Sequence, residues 1–207
     1  MRFLKALTAI ASLVALAACD DGRAATIEQL HGVKFVPPHA KHDFTLETTE
    51  GTPFHFVNDT RGAVTLLYFG YTKCPDVCPL HLANIATALK QMDPRDQAQV
   101  KVVFVTTDPN RDTPEVLRAW LNNFDKRFIG LRGPVDSVNA IQATLGLPPA
   151  TMEMMDPKDH GPAMYGMGHA AQVLAFSADD SLRTEYPSGF KVGDWVNDLP
   201  KLARLRK

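Results

Sequence analysis

A run of apolar and aromatic residues, Leu66-Leu67-Tyr68-Phe69, stops at Gly70, and the short polar turn Tyr71-Thr72-Lys73 leads into Cys74-Pro75-Asp76-Val77-Cys78-Pro79-Leu80-His81. Few sequences constrain a fold as tightly. The pattern predicts a buried strand, a turn and a helix start, with two cysteines four positions apart at the junction. Residues i and i+4 of a helical turn share one face with Cβ atoms about 5–6 Å apart, so the two sulfurs can share a metal ion or, with modest adjustment, form a disulfide. Unpaired N–H groups and the positive end of the helix dipole favour the thiolate, the form that binds metal and attacks sulfur. The chemistry expected here is soft-metal or redox chemistry.

The rest of the chain sets the context. With 207 residues, 45% of them hydrophobic and 22% charged, it is long enough for one substantial core. A net charge of −1 gives no reason to expect a nucleic-acid partner. Arg2 and Lys5 precede an uncharged run from Ala6 to Ala18 that is short for a membrane span but suits a signal peptide, expected over residues 1–18. Leu16-Ala17-Ala18-Cys19 resembles the bacterial lipobox, which would leave Cys19 as a lipid-modified N-terminus; the alternative is a plain signal peptide cut near the same small residues. The lipoprotein reading places the protein in the bacterial cell envelope, anchored in the inner membrane and facing the periplasm, with Asp20 resembling a retention signal. Cys74 and Cys78 then remain as the functional pair in a compartment where thiols tend to be oxidised. Residues 19–41, which include Pro37-Pro38, read as a tether, and His39 and His42 as surface histidines.

A domain is expected from residue 42 to 207. Phe44–Thr48 and Pro53–Val57 alternate around Glu50-Gly51-Thr52 and predict a hairpin. Val64–Phe69 suits a strand buried on both faces, followed by the cysteine-bearing helix with Leu80, Ile85, Ala88 and Leu89 as inward positions. Val100–Thr107 predicts a further strand. Thr113 then caps a helix with Pro114 in first position and an apolar stripe of Val116, Leu117, Trp120, Leu121 and Phe124. Phe128–Leu131 predicts a strand, about Val135 to Leu145 a helix, Ala171–Phe176 and Leu182–Tyr186 a hairpin, and about Gly193 to Arg206 a closing helix. Strands alternating with helices predict parallel pairing through right-handed crossovers.

A central mixed β-sheet flanked by α-helices, with an N-terminal β-hairpin and paired cysteines where a core strand meets its helix, resembles the thioredoxin-like α/β fold. The neighbourhood is more specific than the fold. Phe69-Gly70-Tyr71-Thr72-Lys73-Cys74-Pro75-Asp76-Val77-Cys78-Pro79 resembles the signature of the Sco/SenC family, thioredoxin-like proteins that handle copper during assembly of cytochrome c oxidase. Val103–Pro114, with Asp108-Pro109-Asn110-Arg111-Asp112-Thr113-Pro114, and Phe128–Leu131 resemble further family segments, so the likeness runs over roughly residues 42–206 in matching order.

The resemblance implies a third ligand, a distant histidine before the penultimate strand, and His169 occupies that place. It thus implies copper held by Cys74, Cys78 and His169: thiolates select Cu(I), and imidazole serves either oxidation state. The implied role is a membrane-anchored metallochaperone that delivers copper to the binuclear centre of cytochrome c oxidase or to another cuproprotein. An upstream copper donor and a thiol reductant are the further partners implied. The alternative is an enzyme, a thiol–disulfide oxidoreductase in which Cys74 and Cys78 reduce the copper-acceptor subunit or another client. Two departures stand out. Gly168 precedes the histidine where family members commonly carry an acidic residue, and Met152, Met154, Met155, Met164 and Met167 crowd the expected loop before it, alongside His160. Thioethers bind Cu(I), which makes Met164 and Met167 candidate auxiliary contacts, against the plainer reading that flexible methionines pack the segment onto the domain.

The remaining signature residues have structural readings. Pro75 and Pro79 suit an early helical position, Tyr71 and Phe69 pack around a site, and Asp108 and Asp112 brace the turn beside it. Lys73 is a candidate for lowering a neighbouring thiol pKa or a solvated lysine.

Overall fold

The computed structural model describes residues 26–154 and 165–205. The strands are β1 (Val33–Ala40), β2 (Thr45–Thr48), β3 (Pro53–His55), β4 (Val64–Gly70), β5 (Val100–Thr106), β6 (Ile129–Arg132), β7 (Thr151–Met154), β8 (Tyr165–Gly168), β9 (Val173–Phe176) and β10 (Ser181–Tyr186). The α-helices are α1 (Phe56–Asp59), α2 (Val77–Gln91), α3 (Pro94–Ala98), α4 (Pro114–Asn122), α5 (Val135–Thr144) and α6 (Val192–Arg204). Eight strands form one mixed sheet in the order β1-β10-β9-β4-β5-β6-β2-β3, and β7 pairs with β8 in a separate ribbon.

The expected thioredoxin-like architecture is present. Strand β4 is buried along its whole length, parallel to β5 from Val64↔Val100 to Gly70↔Thr106 and antiparallel to β9. Its alternate side chains feed two cores. Val64, Leu66 and Tyr68 pack with Val102, Phe104, α2, Leu117 and Leu121 of α4, and Trp195 and Leu199 of α6. Leu67 and Phe69 face the other way, with Val103, Val105, Leu131, Phe56 and Val138 of α5. A central strand that must bury both faces reads as an unbroken apolar run, which is why β4 lacks alternation. The expected hairpin forms over 45–48 and 53–55, closed by Gly51 at φ 76°, but its second arm is shorter than expected because Phe56 and Val57 open α1; Thr113 Oγ1 accepts from Val116 N to cap α4.

Four expectations are corrected. The segment taken as tether to residue 41 forms an edge strand over Val33–Ala40 that pairs with β10. Pro37-Pro38 fit there because the register breaks between Lys34 and His39, so neither proline is asked for a ladder N–H. This segment is anchored further by Asp198, which is fully buried and accepts from His31 N at 2.7 Å and from the Tyr186 hydroxyl at 2.9 Å. Second, Leu80 is exposed: the buried face of α2 runs through Cys78, His81, Leu82, Ile85, Ala86, Ala88 and Leu89, one position out of phase with it. Val116 lies similarly at the edge of the α4 stripe, exposed. Third, α2 begins at Val77, so Cys74 and Pro75 precede the helix and only Cys78 and Pro79 lie in its first turn. Fourth, the arms of the methionine-rich segment are strands β7 and β8. The signal peptide, Cys19, Met155, His160 and Met164 lie outside the described residues.

Candidate metal centre

The site sits where β4 and β5 end. The Gly70 carbonyl accepts from Thr107 N at 2.7 Å and from the Thr107 hydroxyl at 3.1 Å, and the chain then turns so that Cys74 N reaches the Tyr71 carbonyl at 3.2 Å. Asp112 fixes this turn. Its carboxylate, fully buried, accepts from Thr72 N at 3.0 Å, Thr72 Oγ1 at 2.6 Å and Thr106 Oγ1 at 2.6 Å, tying the cysteine loop to the end of β5. Asp108 braces the opposite side through Arg111 and the Tyr165 hydroxyl, the latter at 3.1 Å. The expectation that both aspartates brace the turn is met.

Cys78 projects from the first turn of α2 beneath β4. The Tyr68 hydroxyl donates to its sulfur at 3.4 Å, and His169 Nε2 lies 3.4 Å from the same sulfur. His169 follows β8, and its Nδ1 lies 3.0 Å from the Ala170 carbonyl, which directs the proton to Nδ1 and leaves the Nε2 lone pair facing the thiols. The rings of Tyr71 and Tyr68 meet it edge-on at centroid distances of 5.6 and 6.2 Å. The ligand atoms of Cys74, Cys78 and His169 all lie within 4.8 Å of one another, so small adjustments bring all three onto one ion at bond lengths of about 2.0–2.3 Å. Residues separated by up to 95 positions in sequence thus converge on a space the size of a single ion.

The two thiols differ in character. A hydrogen bond from Cys78 is the main influence lowering the Cys74 thiol, opposed by burial and helped by His169 and by the backbone at Asp76 and Cys78, and it brings Cys74 from 9.0 to about 4. Lys73 is exposed and is not among these causes. Burial pushes the Cys78 thiol up, reinforced by its hydrogen bond to Cys74 and by the Cys74 charge. The pair therefore shares one proton, held on Cys78.

His81 is a neighbour that the sequence did not single out. It is 3% exposed, its ring packs edge-on against Tyr68 at 5.2 Å, and its Nε2 has no hydrogen-bond partner. Burial lowers its pKa, opposed by a backbone hydrogen bond to Ala171. Its position three residues after Cys78 on the buried face of α2 was the available signal.

Met167 is 8% exposed, and its backbone N–H is hydrogen-bonded to the Tyr71 hydroxyl, next to His169. Gly168 has a spatial explanation: a β-carbon there would lie 2.6 Å from Glu153 Oε1 and 2.7 Å from Thr151 Oγ1. The Thr151 hydroxyl and the Glu153 carboxylate of the neighbouring strand occupy that space.

A thioredoxin-like domain that presents two thiols and an imidazole at the end of its central strands is a soft-metal site on a redox scaffold, and two sulfurs with one nitrogen suit copper. The SCO1/SenC family model matches residues 35–204, and the chain belongs to that family. A Stutzerimonas stutzeri protein named for copper binding is 31% identical over 160 residues, covering 76% of this chain and 74% of the relative. Several other curated relatives are matched over less than half of their own length. Apo Sco1 from Thermus thermophilus superposes with a TM-score of 0.71 at 31% identity, covering 82% of this chain and 95% of that one. Copper-bound ScoI of Bradyrhizobium japonicum gives 0.64 at 28% identity, with 77% and 97% covered.

Proposed function

We propose that this protein is a copper carrier of the cell envelope, lipid-anchored through Cys19, that holds copper on Cys74, Cys78 and His169 and passes it to the copper-binding subunit of cytochrome c oxidase or to another cuproprotein. The observation that carries this reading is the convergence of the three ligand atoms within 4.8 Å, with the His169 tautomer set by the Ala170 carbonyl. Cys74 is already poised as a thiolate, and Cys78 releases its proton when the metal arrives. The copper-bound structure of the Bradyrhizobium japonicum relative supports the assignment of the metal. Among the described residues no helix is long and apolar enough to cross a membrane; the lipid anchor is proposed from the Leu16-Ala17-Ala18-Cys19 motif alone. The test is transfer: copper-loaded protein mixed with the apo copper-binding domain of the oxidase should lose its copper to that domain, and a Cys74→Ser variant should deliver none.

The asymmetry of the thiols supports a second reading, thiol–disulfide exchange. The Cys74 thiolate would attack a client disulfide, forming a mixed disulfide and expelling one client thiolate. Cys78 would then lose its proton, attack the Cys74 sulfur and release the second client thiol, leaving Cys74 and Cys78 oxidised and the client reduced by two electrons. Reduction of the oxidised acceptor domain by the metal-free protein, without copper transfer in the experiment above, favours this role.

A further inference from the structure

We infer that the β7–β8 ribbon carries a second Cu(I) site made of thioethers, Met152, Met154 and Met167, through which the ion reaches the thiolate centre. The inference rests on reading that centre as a copper site. Met152 lies directly opposite Met167 in the ribbon, and Met154 lies opposite Tyr165. Directly opposed residues share a face with Cβ atoms about 4.5–5.5 Å apart, and residues two apart on one strand share it as well. Met154, Met152 and Met167 therefore form one row, which continues through Met167 to His169, two residues further along. The opposite face bears Thr151, Glu153, Gly166 and Gly168, with the Thr151 hydroxyl and the Glu153 carboxylate folded over Gly168. The thioethers share their side of the ribbon with Tyr165, and the other side carries the oxygen donors.

Burial separates this arrangement from ordinary packing. Met92 sits in the main core and is 8% exposed, as a packing methionine should be. Met152 and Met154 are 60% and 73% exposed and bury little apolar surface, whereas Met167, at the inner end of the row, is 8% exposed beside Tyr71 and His169. The row thus grades from solvent to the metal centre. All the methionines except Met1 and Met92 lie between residues 152 and 167. Neutral thioethers select Cu(I) over harder cations and bind it more weakly than thiolates do, so the ion is captured outside and drawn inward. Copper stays in the +1 state throughout: the thioethers leave without a proton, Cys74 coordinates as the thiolate, and the Cys78 proton passes to solvent.

Full-length protein labelled with 13C at the methionine methyls reports on this directly. In a Cys74→Ser, Cys78→Ser, His169→Ala background, one equivalent of Cu(I), or of Ag(I) as a redox-inert substitute, should shift the Met152, Met154 and Met167 methyls and leave Met92 unmoved. The further pair Met152→Leu and Met154→Leu, which conserves volume, should abolish the shift. With the thiolate centre intact, the same pair should leave equilibrium Cu(I) affinity within about twofold while slowing loading from a Cu(I) chelate about tenfold. Absent methyl shifts, or an unchanged loading rate, overturns the inference. Failure of the copper reading itself registers separately, as loss of tight binding by the wild-type thiolate centre.

Discussion

A β-carbon placed on Gly70 would lie 2.6 Å from the Cys78 sulfur. The last residue of the central strand is glycine because the Cys78 thiol of the following helix occupies the space a side chain would need. Phe104, whose ring lies 3.0 Å from the same point, blocks relaxation in the other direction. Gly70→Ala should therefore displace Cys78 and open the ligand set. We expect a loss of about 1–3 kcal/mol in stability from overpacking and a fall in copper affinity of at least tenfold, checked by urea unfolding and chelator competition.

The shared proton makes Cys74 the reactive thiol. Held near 4 instead of 9.0, Cys74 should be alkylated by iodoacetamide with a rate midpoint near pH 4, while the more deeply buried Cys78 reacts only after unfolding. The sign for stability follows. The folded pKa lies below that of the unfolded chain, so the Cys74 contribution is complete above the ordinary thiol value and is lost as pH falls through about 4. Cys78, raised in the folded state, acts oppositely: its contribution is present below the ordinary thiol value and lost at higher pH. Unfolding curves of the metal-free protein and its Cys74→Ser variant between pH 4 and 9 should diverge in the first of these senses.

Asp112 holds the cysteine loop by three hydrogen bonds in a fully buried position. Asp112→Ala leaves Thr72 N, Thr72 Oγ1 and Thr106 Oγ1 without that acceptor, at a cost of about 2–5 kcal/mol. Calorimetry should show the lower Tm, and amide exchange should show the Thr72–Cys74 loop opening well before the sheet.

How much of this was legible in the sequence depended on the range of the interaction. The unbroken apolar run of β4, the Thr113-Pro114 start of α4 and the 45–55 hairpin are local signals, and each forms. The edge strand at Val33–Ala40 was hidden because Pro37-Pro38 imply a linker until β10 supplies a register break to hold them. Leu80 falls outside the buried face because it lies five residues before Ile85, about 140° around the helix, whereas Cys78, His81 and Leu82 continue the stripe at three- and four-residue spacing. At the site, Cys74 and Cys78 declared themselves, and His169 could be selected only through family resemblance. His81 went unmarked, since burial of an imidazole with its Nε2 unpartnered is a tertiary fact.

Arg111 ties the methionine ribbon to the domain. Its guanidinium lies 3.6 Å from the Tyr165 ring centroid, its Nη1 donates to the Tyr165 carbonyl at 2.9 Å, and it pairs with Asp108. Arg111→Ala removes a stacked cation and a charged hydrogen bond together, for a cost of about 2–4 kcal/mol felt mainly at the ribbon. Hydrogen exchange over Tyr165–Gly168 should accelerate about tenfold or more, while exchange in β4 and β5 stays unchanged.

The most direct test of the central claim is an anaerobic Cu(I) titration of the reduced protein against a competing chelator, beside Cys74→Ser, Cys78→Ser and His169→Ala. The account predicts tight one-to-one binding, weakened by each cysteine substitution and, by about tenfold or more, by His169→Ala. Unchanged affinity in the His169→Ala protein would contradict the three-ligand centre, and weak binding by the wild type would contradict the copper assignment itself.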